Sequence, residues 1–131
     1  MAIQGGSMIH FRHCASPADM YNYKGAEIQW LYFDELTSFE FEIYDFLKTR
    51  LRARKELNVV PVVRSSSNPG DIGHGWVKKM FVDAAPYGTV FTRKIKSSVG
   101  ERTYKMQYIP SLATENPYIG EDYIFQLESK P

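Results

Sequence analysis

The chain of 131 residues sets 16 Lys and Arg against 15 Asp and Glu, a formal net charge of +1, with 44% hydrophobic and 24% charged residues. This length suits a single domain with a real core, the balance is ordinary for a globular protein, and 15% aromatic residues predict a ring-rich interior. No apolar run nears the roughly 18 residues of a membrane span, no secretory pattern opens the chain, and the lone Cys14 excludes an internal disulfide, so a soluble, cytoplasmic protein is expected.

In chain order, residues 1–7, with Gly5, Gly6 and Ser7 ahead of a second methionine at Met8, read as an expression scar or a disordered start. A short strand is expected over residues 8–12 and a loop over residues 15–25, where Ser16-Pro17 and Lys24-Gly25 punctuate the chain. Residues 28–33 are apolar except for Gln29, as in a strand covered on both faces of a parallel sheet. Asp34 and Glu35 follow directly.

Thr37 and Glu40 then have the spacing of a capping box. Phe39, Ile43, Tyr44, Leu47 and Leu51 trace an apolar stripe, which predicts a helix from Thr37 to about Lys55. Residues 39–43 also alternate at period two, but the cap and the basic tail favour helix. Residues 59–64 read as the next strand, with Pro61 tolerable near its start. Strand, helix and strand make a βαβ unit. After the polar turn Ser65-Ser66-Ser67-Asn68-Pro69-Gly70, residues 75–82 predict a short helix with Trp76, Val77, Met80 and Phe81 inward. Strands over residues 89–95 and 103–109, joined through residues 96–101, form a hairpin. Residues 120–129 predict a closing helix, and the class is α/β.

The near-neutral charge hides an asymmetry. Residues 27–45 hold six acids (Glu27, Asp34, Glu35, Glu40, Glu42 and Asp45) and no Lys or Arg. Residues 48–64 hold six basic residues against one acid, Glu56. A second basic cluster, Arg93, Lys94 and Lys96 with Arg102 and Lys105, lies in the predicted hairpin. Either cluster can contact a phosphate backbone, and either can be a solvated helix end or hairpin tip.

The chemistry concentrates at Asp34 and Glu35, beyond the carboxyl end of a strand, where parallel sheets bind ligands. Such a pair can hold Mg²⁺ through water and orient an attacking water. It can equally decorate the start of the next helix, where negative charge is favoured. Ser66, Ser67 and Asn68 can bond a γ-phosphate, yet the same residues spell an ordinary turn. His10, His13 and Cys14 lack a fourth ligand and do not read as a zinc site. The phosphate-cradling pattern G-x-x-x-x-G-K-[ST] does not occur in these residues.

In order and spacing, several stretches resemble the ATPase domain of phage terminase large subunits, the DNA-packaging motors of tailed bacteriophages. They are Tyr23-Lys24-Gly25-Ala26-Glu27, Trp30-Leu31-Tyr32-Phe33-Asp34-Glu35-Leu36-Thr37-Ser38-Phe39, and the Leu-Arg pattern over residues 47–54. Ser67-Asn68-Pro69-Gly70, His74-Gly75-Trp76-Val77-Lys78-Lys79-Met80-Phe81, Tyr108-Ile109-Pro110-Ser111-Leu112 and Glu115-Asn116-Pro117-Tyr118-Ile119 complete the set.

The resemblance implies a partial P-loop NTPase-like parallel sheet with an appended β-hairpin and C-terminal helix. It implies Asp34 as the Walker B carboxylate for Mg²⁺, Glu35 as the catalytic base acting on ATP, and Ser66, Ser67 and Asn68 as the coupling motif. It further implies double-stranded DNA, a terminase small subunit and a portal or procapsid as partners, an oligomeric ring, and the cytoplasm of a bacterial host. An upstream Walker A loop and a downstream RNase H-like nuclease belong to that picture. Residues 8–131 are therefore expected to be the C-terminal part of the ATPase domain, a central fragment or split-gene product inactive alone. The alternatives are a portion of another, helicase-like P-loop ATPase, or a non-catalytic DNA- or protein-binding domain.

Overall fold

The computed structural model describes residues 6–129, so residues 1–5 of the expected scar or disordered start lie outside the described residues. The chain divides after Val77 into two compact units.

The first unit is built on a βαβ arrangement. Strand β1 (Trp30–Phe33) pairs in parallel with β2 (Val62–Ser65), with Trp30 opposite Val62 and Phe33 opposite Ser65. Helix α1 (Phe41–Lys48) connects them, and a four-residue α-helical turn, α2 (His74–Val77), ends the unit. The parallel pairing agrees with the apolar run and the strand–helix–strand order.

Three local expectations are corrected. Residues 8–12 form no strand beyond an isolated bridge residue at Met8. The expected loop over residues 15–25 contains a 3-10 helix, Pro17–Tyr23, started by Ser16, whose N–H and hydroxyl donate to Asp19 Oδ2 at 2.9 and 3.1 Å. Helix α1 is capped by Glu40 rather than Thr37 and ends at Lys48 rather than near Lys55.

The early end of α1 has a tertiary cause. Leu51 leaves the stripe to make a parallel bridge with Ile28, with Ile28 N–H donating to Arg50 O and Arg52 N–H to Ile28 O, each at 3.0 Å. Extending the sheet satisfies backbone groups that another helical turn would have satisfied internally.

The core is small and lies on one face of the sheet. Phe33, Leu36, Ile43, Tyr44 and Leu47 are buried, and so is Cys14. Each large apolar side chain buried there contributes about 1.5–3 kcal/mol. Phe33 and Tyr44 are the aromatic members of this buried set, and half-buried rings pack on them: Phe33 meets Phe39 edge-on at 5.3 Å between centroids, and Tyr44 lies 4.9 Å from Trp76. The expectation of a strand covered on both faces does not hold within this chain. Trp30 and Tyr32 alternate onto the other face and remain 75% and 63% exposed.

The second unit opens with a π-helical segment, Lys78–Val82. The predicted helix over residues 75–82 is therefore one α turn followed by a wider one. Strands β3 (Phe91–Ser97) and β4 (Gly100–Met106) form the expected antiparallel hairpin, closed by Ser98 and Val99. Gly100, at φ +125°, takes the backbone conformation that a side chain would resist. Helix α3 (Glu121–Glu128) follows a Gly120 N-cap, as expected. Among the described residues this unit has none in the buried class.

Candidate functional site

β1 delivers Asp34 and Glu35 past its carboxyl end, and β2 delivers Ser66, Ser67 and Asn68 past its own. Because the strands are parallel and in register, both sets emerge at one edge. Ser66 N–H donates to Phe33 O at 3.0 Å and Leu36 N–H to Ser66 O at 2.9 Å, which continues the pairing beyond the strands.

Side chains then join the two segments. Ser66 Oγ donates to Asp34 Oδ1 at 2.8 Å. Asn68 grips Glu35 twice, through its backbone N–H to Oε2 at 3.3 Å and its amide Nδ2 to Oε1 at 3.1 Å. Glu35 has left-handed backbone, φ 51° and ψ 63°, a conformation costing about 1–2 kcal/mol outside glycine. The reversal sends the two consecutive acids to different partners on the same loop.

Glu35 is the N-cap residue of a short 3-10 helix, Leu36–Ser38, without a side-chain cap bond to it, so the reading of an acid at a helix start holds for that one turn, while residues 36–40 separate Glu35 from α1. Both acids are exposed. Only one oxygen of Asp34 is engaged by Ser66, and the other is available to a water in a metal ion's shell.

Three residues that sequence reasoning did not select complete the seam. Thr37, 5% exposed, receives Ser67 Oγ on its own hydroxyl at 2.9 Å and donates that hydroxyl to Asn68 O at 2.9 Å. Its N–H donates to Ser67 Oγ at 3.0 Å. Asp71 accepts the Ser38 hydroxyl at 2.8 Å; the Ile72 N–H, then Ser38, hold its carboxyl below the usual range. Gly73, buried, donates its N–H to Thr37 O at 2.6 Å. The only sequence signal for Thr37 was its place beside the acids, and the capping pattern claimed it for another role.

The basic cluster after α1 is largely absorbed by local structure. Arg52 donates to Gly25 O and Ala26 O at 3.1 and 3.0 Å, Lys48 pairs with Asp45 at 3.4 Å, and Arg54 lies 3.9 Å from Glu27. In the hairpin, Arg93 pairs with Tyr104 and Ile95 with Arg102, so these four share a face. Lys94 and Lys96 fall on the opposite face with Glu101, and Lys94 is 3.3 Å from that carboxylate. The three predicted nucleic-acid residues are thus exposed but divided between two faces.

The fold and this edge define a mixed α/β protein with an acid pair and a polar loop meeting at the carboxyl ends of parallel strands, where such sheets carry ligand sites. The family of phage terminase large subunits matches residues 1–130, and the chain belongs to that family. The match takes in the first seven residues as well. No curated protein and no solved structure gives a significant match. Among the described residues, no helix is long and apolar enough to cross a membrane.

Proposed function

We propose that the chain supplies the Walker B and coupling-motif part of a P-loop ATPase that drives double-stranded DNA into a procapsid. The carrying observation is the hydrogen-bonded contact between the acids and the Ser66–Asn68 loop, which ties a carboxylate pair to groups able to sense a phosphate. In this reading Asp34 holds Mg²⁺ through water, using the oxygen that Ser66 leaves open. Bound Mg²⁺ offsets charge on the phosphates of ATP.

Glu35 is the general base for the attacking water. Its carboxylate is oriented by Asn68, which bonds both of its oxygens. Ser66, Ser67 and Asn68 bond the γ-phosphate or its water and shift when the phosphate leaves. Arg93, Lys94 and Lys96 contact DNA phosphates from the two hairpin faces. The small subunit, the portal and further copies in a ring are the partners, in the cytoplasm of the host.

The test is Mg²⁺-dependent ATP hydrolysis by the full-length protein. Asp34→Asn is expected to raise the Mg²⁺ concentration needed for half-maximal turnover at least about tenfold, the loss of one carboxylate–metal interaction. An unchanged Mg²⁺ requirement removes Asp34 from the metal site.

A further inference from the structure

Thr37 is a buried hydroxyl with a directional set of bonds. Its Oγ1 accepts from Ser67 Oγ and donates to Asn68 O, both at 2.9 Å. Ser67 Oγ in turn accepts from Thr37 N–H at 3.0 Å. Ser67 Oγ also lies 3.4 Å from Asn68 O, so both hydroxyls converge on that carbonyl, with Thr37 Oγ1 the shorter contact at 2.9 Å. The Thr37 carbonyl is held too, by Gly73 N–H. The residue it fixes, Asn68, is the one that holds both oxygens of Glu35.

We infer that Thr37 is a positioning residue, fixing Asn68 through its carbonyl so that Asn68 can aim the Glu35 carboxylate. The inference rests on the reading of Glu35 as the base of an ATPase. The side-chain hydrogen bonds of Thr37 go to Ser67 and Asn68, and its effect passes through Asn68. Burial strengthens the device, because water competes poorly for the Thr37 hydroxyl while the acids themselves remain open to solvent. Thr37 also lies between Glu35 and α1, so the same residue ties the acid-bearing turn to the loop after β2. A capping threonine would face its own helix, whereas this one faces a loop thirty residues away in sequence.

The experiment is steady-state ATP hydrolysis by the full-length protein carrying Thr37→Val, Thr37→Ser, Asn68→Ala, Thr37→Val with Asn68→Ala, and Glu35→Gln. Valine keeps the shape and removes the hydroxyl. Thr37→Val is expected to lower kcat about tenfold with KM for ATP unchanged, the loss of one aligning hydrogen bond. Thr37→Ser is expected to restore kcat to within about twofold, the hydroxyl being kept.

The double variant is expected to be slower than Asn68→Ala by a smaller factor than Thr37→Val slows the parent, since the Asn68 side-chain bond to Glu35 is already lost while its backbone N–H bond remains. A structural role alone gives additive losses, or a shift in KM, and either result overturns the inference. If Glu35→Gln abolishes turnover while Thr37→Val keeps it, the inference falls and the base reading stands. Full turnover in Glu35→Gln overturns the base reading and the inference with it. If Thr37→Val does not fold, as judged by circular dichroism, Thr37→Cys is expected to give the same pattern, and full kcat in that variant overturns the inference.

Discussion

Gly73→Ala probes the seam at its tightest point. A Cβ built on Gly73 would lie 2.7 Å from Thr37 O and 2.8 Å from Trp76 Nε1, and would press against Phe39 O as well. Two of these neighbours are backbone carbonyls, which cannot swing aside as a flexible side chain can. The backbone of Gly73 is not in the left-handed region, so the cost is one of space. Relief requires Gly73 N–H to draw away from Thr37 O and the Trp76 indole from Phe39 O. Overpacking of this kind costs about 1–3 kcal/mol and each weakened bond about 1 kcal/mol. A total of about 3–5 kcal/mol is therefore expected, or a melting temperature lower by at least about 12 °C for a unit of this size. Guanidinium unfolding followed by tryptophan fluorescence measures it. Gly75→Ala is the internal control, since a Cβ there meets nothing within 4 Å and alanine is favoured in a helix by about 0.5–1 kcal/mol. A Gly73→Ala midpoint within about 0.5 kcal/mol of the parent, the range of neutral surface changes, refutes the packing argument.

Two further outcomes follow from the same geometry. Asp71 has a folded-state carboxyl lowered by the Ile72 N–H and the Ser38 hydroxyl. Its contribution is therefore present above the unfolded value near pH 4 and lost as pH falls through the lower folded value. Asp71→Asn, tolerated by the left-handed backbone there, should be less stable at pH 6 by a margin that closes as pH falls through the lowered folded-state value; a margin independent of pH contradicts the assignment. For DNA, replacing Arg93, Lys94 and Lys96 with alanine should weaken duplex binding and shallow its dependence on salt by about one unit of log–log slope per lost phosphate contact. Lys94 should matter least, being paired with Glu101. Fluorescence anisotropy across salt concentrations reads this, and an unchanged slope excludes the hairpin as a DNA contact.

Much of the frame was legible because it is set by patterns local in sequence. The apolar run before Asp34 reported a parallel strand, the turn residues reported the β3–β4 hairpin, and the apolar stripe reported α1. What escaped was decided across distance. Thr37 has the chemistry of a cap, and only the arrival of Ser67 and Asn68 after β2 shows that its hydroxyl is engaged elsewhere. Leu51 fits the helical stripe, yet the bridge between it and Ile28 ends α1 early. Nothing in the residue type of Glu35 signals a left-handed backbone; the bonds on either side impose it. The open face bearing Trp30 and Tyr32 likewise departs from the apolar pattern, which signals affinity for cover without supplying it.

The central claim is that Glu35 activates water at the edge where the two strands meet. It is tested most directly by Glu35→Gln in the full-length protein, with ATP turnover and nucleotide affinity measured on the same sample. Glutamine keeps the size and the bond from the Asn68 N–H but cannot accept the proton. The account predicts turnover lowered at least about a hundredfold, the scale of a lost general base, with nucleotide affinity within about twofold of the parent. Turnover equal to the parent's contradicts it.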